Sequence, residues 1–307
     1  MLSAAPAVSV SAAQPFAAAA EESQTLATEV QYNTLQDSIY KLRQSIEAML
    51  KEINEKYADA EDTKNSLEFN KNSLDDMAAE VKDKFAAGTL TAAEVESYQA
   101  QVAEMAEGLK DAVKSAEQEI YSFQVNTHYQ NASMHKSECL GQVPENVQNY
   151  YAPSFDDLDA EMMQVYMPVM MGGPIESAEK AKEMCNQLDA ISAKADTLLA
   201  ASKKASTLLD DITATLASLD AEIAKIKKDF PEYDLSAVNE SAEYWKNLAA
   251  EFAQAPADPT APYTESKIDG FVESFGYFKV NISDLYAQAQ KDESVSYTHL
   301  RAHETLA

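Results

Sequence analysis

The residues best suited to metal chemistry are two histidines and a cysteine in one predicted helix. His128 and His135 lie seven residues apart, so they share a helix face, and Glu138 and Cys139 follow directly. Imidazole, thiolate and carboxylate groups are all zinc ligands, but this spacing matches no familiar zinc pattern. We therefore expect no metal and no other cofactor, and we interpret both histidines as partly packed surface side chains.

The sequence offers no recognisable catalytic set. Nucleophilic catalysis needs a serine or cysteine activated by a histidine that an acid orients, and the motifs HExxH, GxSxG, Walker A and GxGxxG do not occur. Acidic pairs stand at Asp75-Asp76, Asp156-Asp157 and Asp210-Asp211, without the glycine-containing spacing of an EF-hand. Such pairs are typical of solvated helix faces. We predict that the protein is not an enzyme.

The two cysteines allow two interpretations. In an exported protein, Cys139 and Cys185 could form one disulfide that ties the central segment to the start of a helix. Alternatively, both are free, buried thiols.

A short methionine-rich run is the candidate interaction surface. Its members are Met162, Met163, Met167, Met170 and Met171. Methionine is flexible and polarizable, so it suits an adaptable binding surface or a membrane contact. The alternative is a small core where two helical modules meet.

Composition limits the partners. The chain has 51 acidic and 24 basic residues and a net charge of -27, which disfavours nucleic acid and anionic lipid headgroups. No apolar run approaches the roughly 20 residues of a membrane-spanning helix. Seven glycines and ten prolines in 307 residues are few, and this favours helices over turn-rich β architectures. We expect a protein or cell-envelope partner, and exposed apolar stripes could also support a homo-oligomer.

Both ends of the chain are expected to lie outside the fold. Residues 1–20 are uncharged and rich in small residues, and they end in Ala before Glu21, which is typical of a signal peptide. Residues 295–305 read VSYTHLRAHET, the translation of a sequencing-adapter-like DNA string, so we interpret 294–307 as an assembly artefact. His299 and His303 are therefore excluded from any site. The adapter string favours a bacterial source.

The strongest pattern is a heptad stripe between Met184 and Phe230. Apolar or small residues recur there with alternating spacings of three and four, which indicates the seam of a coiled coil. A second stripe runs from Leu35 to Val81 and predicts one helix over 23–85, about 90 Å long. Gly88 then breaks the helix, and Thr91 with Glu94 forms a capping box for a returning antiparallel helix.

An internal repeat relates the two stripes. Ser73-Leu74-Asp75 and Ser218-Leu219-Asp220 lie 145 residues apart, and the turn residues that follow each triplet match at the same offset. Heptads do not dictate turn residues, so this match favours duplication. In the second copy the returning helix is predicted to be split into 236–253 and 264–289.

These patterns predict an elongated, all-α protein of two tandem antiparallel coiled-coil hairpins. The predicted segments are hairpin module 1 (21–136), an irregular linker with a short helix capped by Ser154 (137–175) and hairpin module 2 (176–293). We expect a secreted or cell-surface protein that acts as a spacer, adhesin-like or scaffold protein. Two alternatives stay open: the regulatory coiled-coil arm of a cell-wall hydrolase whose catalytic domain is missing, and a helical membrane-active or pore-forming protein.

Overall fold

The computed structural model describes the backbone of residues 25–304 and the side chains of residues 25–294, and it is all-α, as predicted. The predicted signal peptide lies outside the described residues, as do the side chains of the adapter-like tail. The described helices are α1 (Glu29–Lys56), α2 (Glu61–Ala86), α3 (Ala92–Gly108), α4 (Ala112–Leu140), α5 (Gln148–Met170), α6 (Ala178–Asp229), α7 (Ser236–Phe252), α8 (Glu265–Ile282) and α9 (Leu285–Glu304). The chain forms two compact units, Met1–Ile120 and Tyr121–Ala307, and the boundary between them falls within α4.

The first unit corrects the prediction of one continuous helix over 23–85. The chain turns at residues 57–60, and α2 runs back along α1, with Gln36 donating to the Ala78 carbonyl (3.1 Å) and Arg43 to Asp75 (2.6 Å). The stripe weakens on either side of this turn, at Lys56 and Thr63. Folding back buries the two half-stripes against each other.

The predicted capping box at Thr91 is confirmed. The Thr91 hydroxyl accepts from the Glu94 amide (3.2 Å), and the Glu94 carboxylate accepts from the Thr91 amide (2.8 Å). The residues just before α1 and α3 form an isolated antiparallel bridge between Leu26 and Thr91. Both helices therefore start side by side, and α3 packs along α1.

The second unit is organised by α6, a single helix of 52 residues. At 1.5 Å per residue it spans about 78 Å. The predicted heptad stripe is buried along its length, except that Leu198, Leu209 and Phe230 are only partly buried; beside Leu209, Leu208 packs inside instead. The helix ends at Asp229, with Phe230 as its C-cap directly before Pro231, because proline has no amide hydrogen to donate.

Shorter helices pack along α6, one after another. Gln142, just after α4, accepts from Lys203, whereas Asp269 in α8 accepts from the neighbouring Lys204. Thus α4 and then α8 pack along α6, end to end. The helices α5 and α7 form the other such pair, because Asn149 at the start of α5 donates to the carbonyl of Ala253 at the end of α7 (3.2 Å). Among its described residues the unit is therefore a three-helix bundle in which α6 is one uninterrupted helix and the other two positions are each occupied by shorter helices.

Aromatic rings fill the junction between the paired helices. Tyr150 packs on Phe252 and Tyr263, with ring centroids 5.1 and 5.5 Å apart, and the Tyr151 hydroxyl donates to the Tyr263 carbonyl (3.0 Å). In the same stretch of α6, the buried residues of 201–205 are small: Ala201, Ser202 and Ala205. Small residues there leave room for large rings on neighbouring helices.

Residues 137–175 are largely helical, not an irregular linker. They contain the end of α4, a 3-10 turn (Glu145–Val147) and α5, which starts at Gln148. Ser154 does not cap a helix as expected: it lies inside α5, buried, and its hydroxyl has no hydrogen-bond partner. The compact unit that holds this segment starts at Tyr121, whereas the predicted first module extends to residue 136.

The helices that follow the repeated triplets have equal lengths. α3 and α7 each contain 17 residues and start 144 residues apart, at Ala92 and Ser236. Their caps differ, because Thr91 caps α3 whereas Leu235 precedes α7 and the Ser236 amide donates to Asp234 (2.9 Å). The split second return is also present, with Thr264 as the N-cap of α8. The prediction of one helix over 264–289 is wrong, because α8 ends at Ile282 and α9 starts at Leu285.

Candidate functional site

Two histidine–aspartate pairs join α4 to α6 at the same register. His128 Nδ1 lies 2.7 Å from Asp189 Oδ1, and His135 Nε2 lies 2.8 Å from Asp196 Oδ1. Both partners advance by seven residues from one pair to the next, so α4 and α6 run parallel. Residues two helix turns apart return to the same face, which explains why both pairs lie on one seam.

Around the second pair, three metal-ligating side chains converge. Cys139 stands one turn after His135, and its Sγ lies 3.7 Å from His135 Nε2 and 3.7 Å from Asp196 Oδ1. Within residues 25–294 this is the group of histidine, cysteine and acidic side chains in which three ligand atoms lie within 4.8 Å of one another. The sequence suggested Glu138 as the acidic member, but in the structure the acidic member is Asp196 of α6, which lies 57 residues after Cys139 in the sequence.

Of the two interpretations of the cysteines, the structure shows the second, two free and buried thiols, and the same register explains why. Cys139 and Cys185 are both buried and free. With α4 and α6 offset by 61 residues, Cys139 lies level with residue 200, about 15 residues or 22 Å along α6 from Cys185. A disulfide requires Cα atoms within about 7 Å, so the two cannot pair here. Burial raises the pKa of both thiols, and the charges of Asp196 and Asp189 add to the effect.

The methionine run divides between the core and the surface. Met162 is buried, Met163 is partly buried, and Met167, Met170 and Met171 are exposed at the end of α5. The run therefore combines both interpretations: its first member packs in the core, and its last three form an apolar surface.

A groove borders this apolar surface between α5 and α6. Its volume is about 590 Å³, and Val165, Pro168, Met184 and Ile191 line its floor and walls. Lys194 stands in its lining and forms an ion pair with Glu161 (2.5 Å). An apolar strip with a charged border of this kind can accept the side chains of a peptide or another helix.

The acidic pairs take part in contacts between helices. Asp75 pairs with Arg43, Asp210 accepts from Asn146 (3.0 Å), and Asp211 pairs with Lys279 (2.5 Å). The first contact joins the consecutive helices α1 and α2, the second joins the 3-10 turn at Glu145–Val147 to α6, and the third joins α6 to α8. These carboxylates therefore connect separate elements of the fold through surface contacts.

Comparisons of the chain with protein families, curated proteins and solved structures found no match. No helix among the described residues is long and apolar enough to cross a membrane.

Proposed function

We propose that the protein is an exported, non-enzymatic helical spacer or scaffold of the cell envelope. The observation that carries the proposal is α6, one uninterrupted helix of 52 residues that shorter helices cover in consecutive pairs. A helix of this length with one apolar stripe is stable only when that stripe is buried along its whole length. The packing of the second unit therefore holds about 78 Å of helix straight.

Charge supports the same function. A net charge of -27 makes copies of the chain repel one another and repel anionic polymers. This repulsion keeps the chain soluble and disfavours non-specific contacts along its surface. Ties such as Lys204 to Asp269 and Lys136 to Asp159 fix the order of helices around α6. A scaffold needs this fixed geometry more than it needs a reactive group.

A pulling experiment tests the spacer. Handles attached at the exposed residues Lys182 and Lys227, which lie 45 residues apart on α6, should stay about 68 Å apart as force rises. The second unit should then yield in one cooperative step, because all its helices share one core. Gradual lengthening at low force would contradict the proposal. Handles at Lys182 and Glu183 give the matched control with no helix between them.

Export has its own test. The whole chain, expressed in a bacterial host, should be recovered outside the cytoplasm with a mature N-terminus at or beside Glu21. Mass spectrometry of the recovered protein identifies that terminus. Retention in the cytoplasm with residues 1–20 intact would contradict the proposed location.

A second candidate function is membrane contact, which the three exposed methionines at the end of α5 favour. Such a surface could insert at the boundary between headgroups and acyl chains. Leakage from dye-loaded liposomes that is lost in Met167→Asp would support it, with Met134→Asp, an exposed methionine on α4, as the control. No leakage from the unmodified protein would eliminate it.

A further inference from the structure

We propose that His135, Cys139 and Asp196 form a binding site for a zinc ion. The three side chains come from two helices, and the His128–Asp189 pair one heptad earlier shows the same relative register independently. His135 and Cys139 are one helical turn apart, so both point from the same face of α4 toward α6. The site is therefore formed by the fold and does not depend on a flexible loop.

The distances fit a tetrahedral ion. Zinc binds sulfur at about 2.3 Å and nitrogen or oxygen at about 2.0–2.2 Å, so tetrahedral angles place sulfur about 3.6 Å from each other ligand. The sulfur lies 3.7 Å from the histidine nitrogen and 3.7 Å from the aspartate oxygen. The nitrogen and oxygen lie 2.8 Å apart, the length of a hydrogen bond, and would separate by roughly 0.6 Å when zinc replaces the shared proton.

Chemistry and access select the ion. A thiolate, an imidazole and a carboxylate together suit a borderline-soft ion such as zinc, whereas calcium and magnesium require oxygen ligands. Cys139 is buried, but the side chains of His135 and Asp196 are 38% and 63% exposed. An ion can therefore enter from solvent, and its fourth position faces water.

The neighbouring pair provides an internal control. His128 and Asp189 repeat the same two ligand types on the same seam, but the position one turn after His128 is Ala132. Cys185 stands one turn before Asp189 on α6, but among the described residues it does not form with His128 and Asp189 a group whose ligand atoms all lie within 4.8 Å of one another. The first pair therefore offers two ligands alone, which hold an ion weakly. The proposal therefore predicts one zinc ion per chain, at the position that has Cys139.

The test titrates the reduced, metal-free full chain with zinc chloride by calorimetry and with cobalt(II) by absorption. We expect one ion per chain and a thiolate-to-cobalt charge-transfer band. Cys139→Ala should remove the band and weaken zinc binding at least about 100-fold, and Asp196→Asn should weaken it about 10- to 100-fold. Asp196 is exposed, so its variant also guards against misfolding as an explanation.

Two control variants leave the site intact. Cys185→Ala removes the other thiol, and His128→Gln removes the other histidine of the seam, so both should bind zinc like the unmodified chain. The proposal is overturned if the unmodified chain takes up no zinc at micromolar concentration. It is also overturned if either control variant loses binding to the extent that Cys139→Ala does.

Discussion

The N-terminus of α2 is capped by a side chain from a distant helix, and this contact gives the most detailed prediction. The N-cap residue is Ala60, which has no side-chain acceptor. Instead the Glu119 carboxylate of α4 accepts from the Asp62 amide (2.9 Å), the Thr63 amide (3.0 Å) and the Thr63 hydroxyl (2.9 Å). These two amides are the ones that a serine or aspartate cap would satisfy.

The magnitude follows from that role. Loss of an N-cap side chain costs about 0.5–2 kcal/mol, and loss of a negative charge at a helix N-terminus about 0.3–1 kcal/mol. Because Asp62 is exposed and water can replace part of the interaction, we expect Glu119→Ala to lower the free energy of unfolding by about 1.5 kcal/mol. In a unit of roughly 100 residues this corresponds to a fall of about 7 °C in Tm. Glu119→Gln, which keeps one acceptor oxygen, should lose about half as much.

Urea unfolding followed by circular dichroism measures the free energy, and hydrogen exchange of residues 61–64 localises the change. Glu104→Ala on α3 removes an exposed carboxylate and is the matched control. The reasoning is refuted if Glu119→Ala unfolds like Glu104→Ala and exchange at the start of α2 is unchanged.

Four further substitutions test the core of the second unit. Ile212→Asp should cost several kcal/mol in urea unfolding because Ile212 is fully buried, whereas Leu198→Asp should cost much less because Leu198 is only partly buried; equal costs would contradict the assigned stripe. Ser154→Ala should leave the free energy of unfolding unchanged or raise it by up to about 1 kcal/mol, because it removes a buried hydroxyl without a partner. A clear fall in Tm would contradict this. Tyr151→Phe should cost about 1–2 kcal/mol, because the Tyr263 carbonyl loses its donor, and an unchanged unfolding midpoint would show that this bond contributes nothing.

Local patterns identified the helices but not every turn between them. The heptad spacing of α6, the Thr91 capping box and the break between α7 and α8 depend on neighbouring residues, so the sequence contains them directly. The turn at residues 57–60 contains no glycine or proline, and the stripe continues on both sides of it. Whether such a stripe stays straight or folds back depends on which partner buries it, which periodicity alone does not determine.

The same distinction applies to the candidate site. His135 and Cys139 could be singled out because one turn of helix joins them. Asp196 could not, because its place beside them follows from the parallel alignment of α4 and α6, and an aspartate in an acidic helix carries no signal of its own. The methionine run was found by composition, but its division between core and surface required the packing of α5 on α6.

Pulsed dipolar spectroscopy on two pairs of spin labels tests the central claim, that α6 stays straight whereas the first stripe folds back. Both pairs lie 32 residues apart at exposed positions, Lys182 with Ala214 on α6 and Gln44 with Asp76 on α1 and α2. With both native cysteines replaced by alanine, we predict a backbone separation of about 48 Å for the α6 pair. For the α1–α2 pair we predict less than about 20 Å, because packed helices lie 8–10 Å apart. A short distance within α6, or about 48 Å for both pairs, would contradict the account.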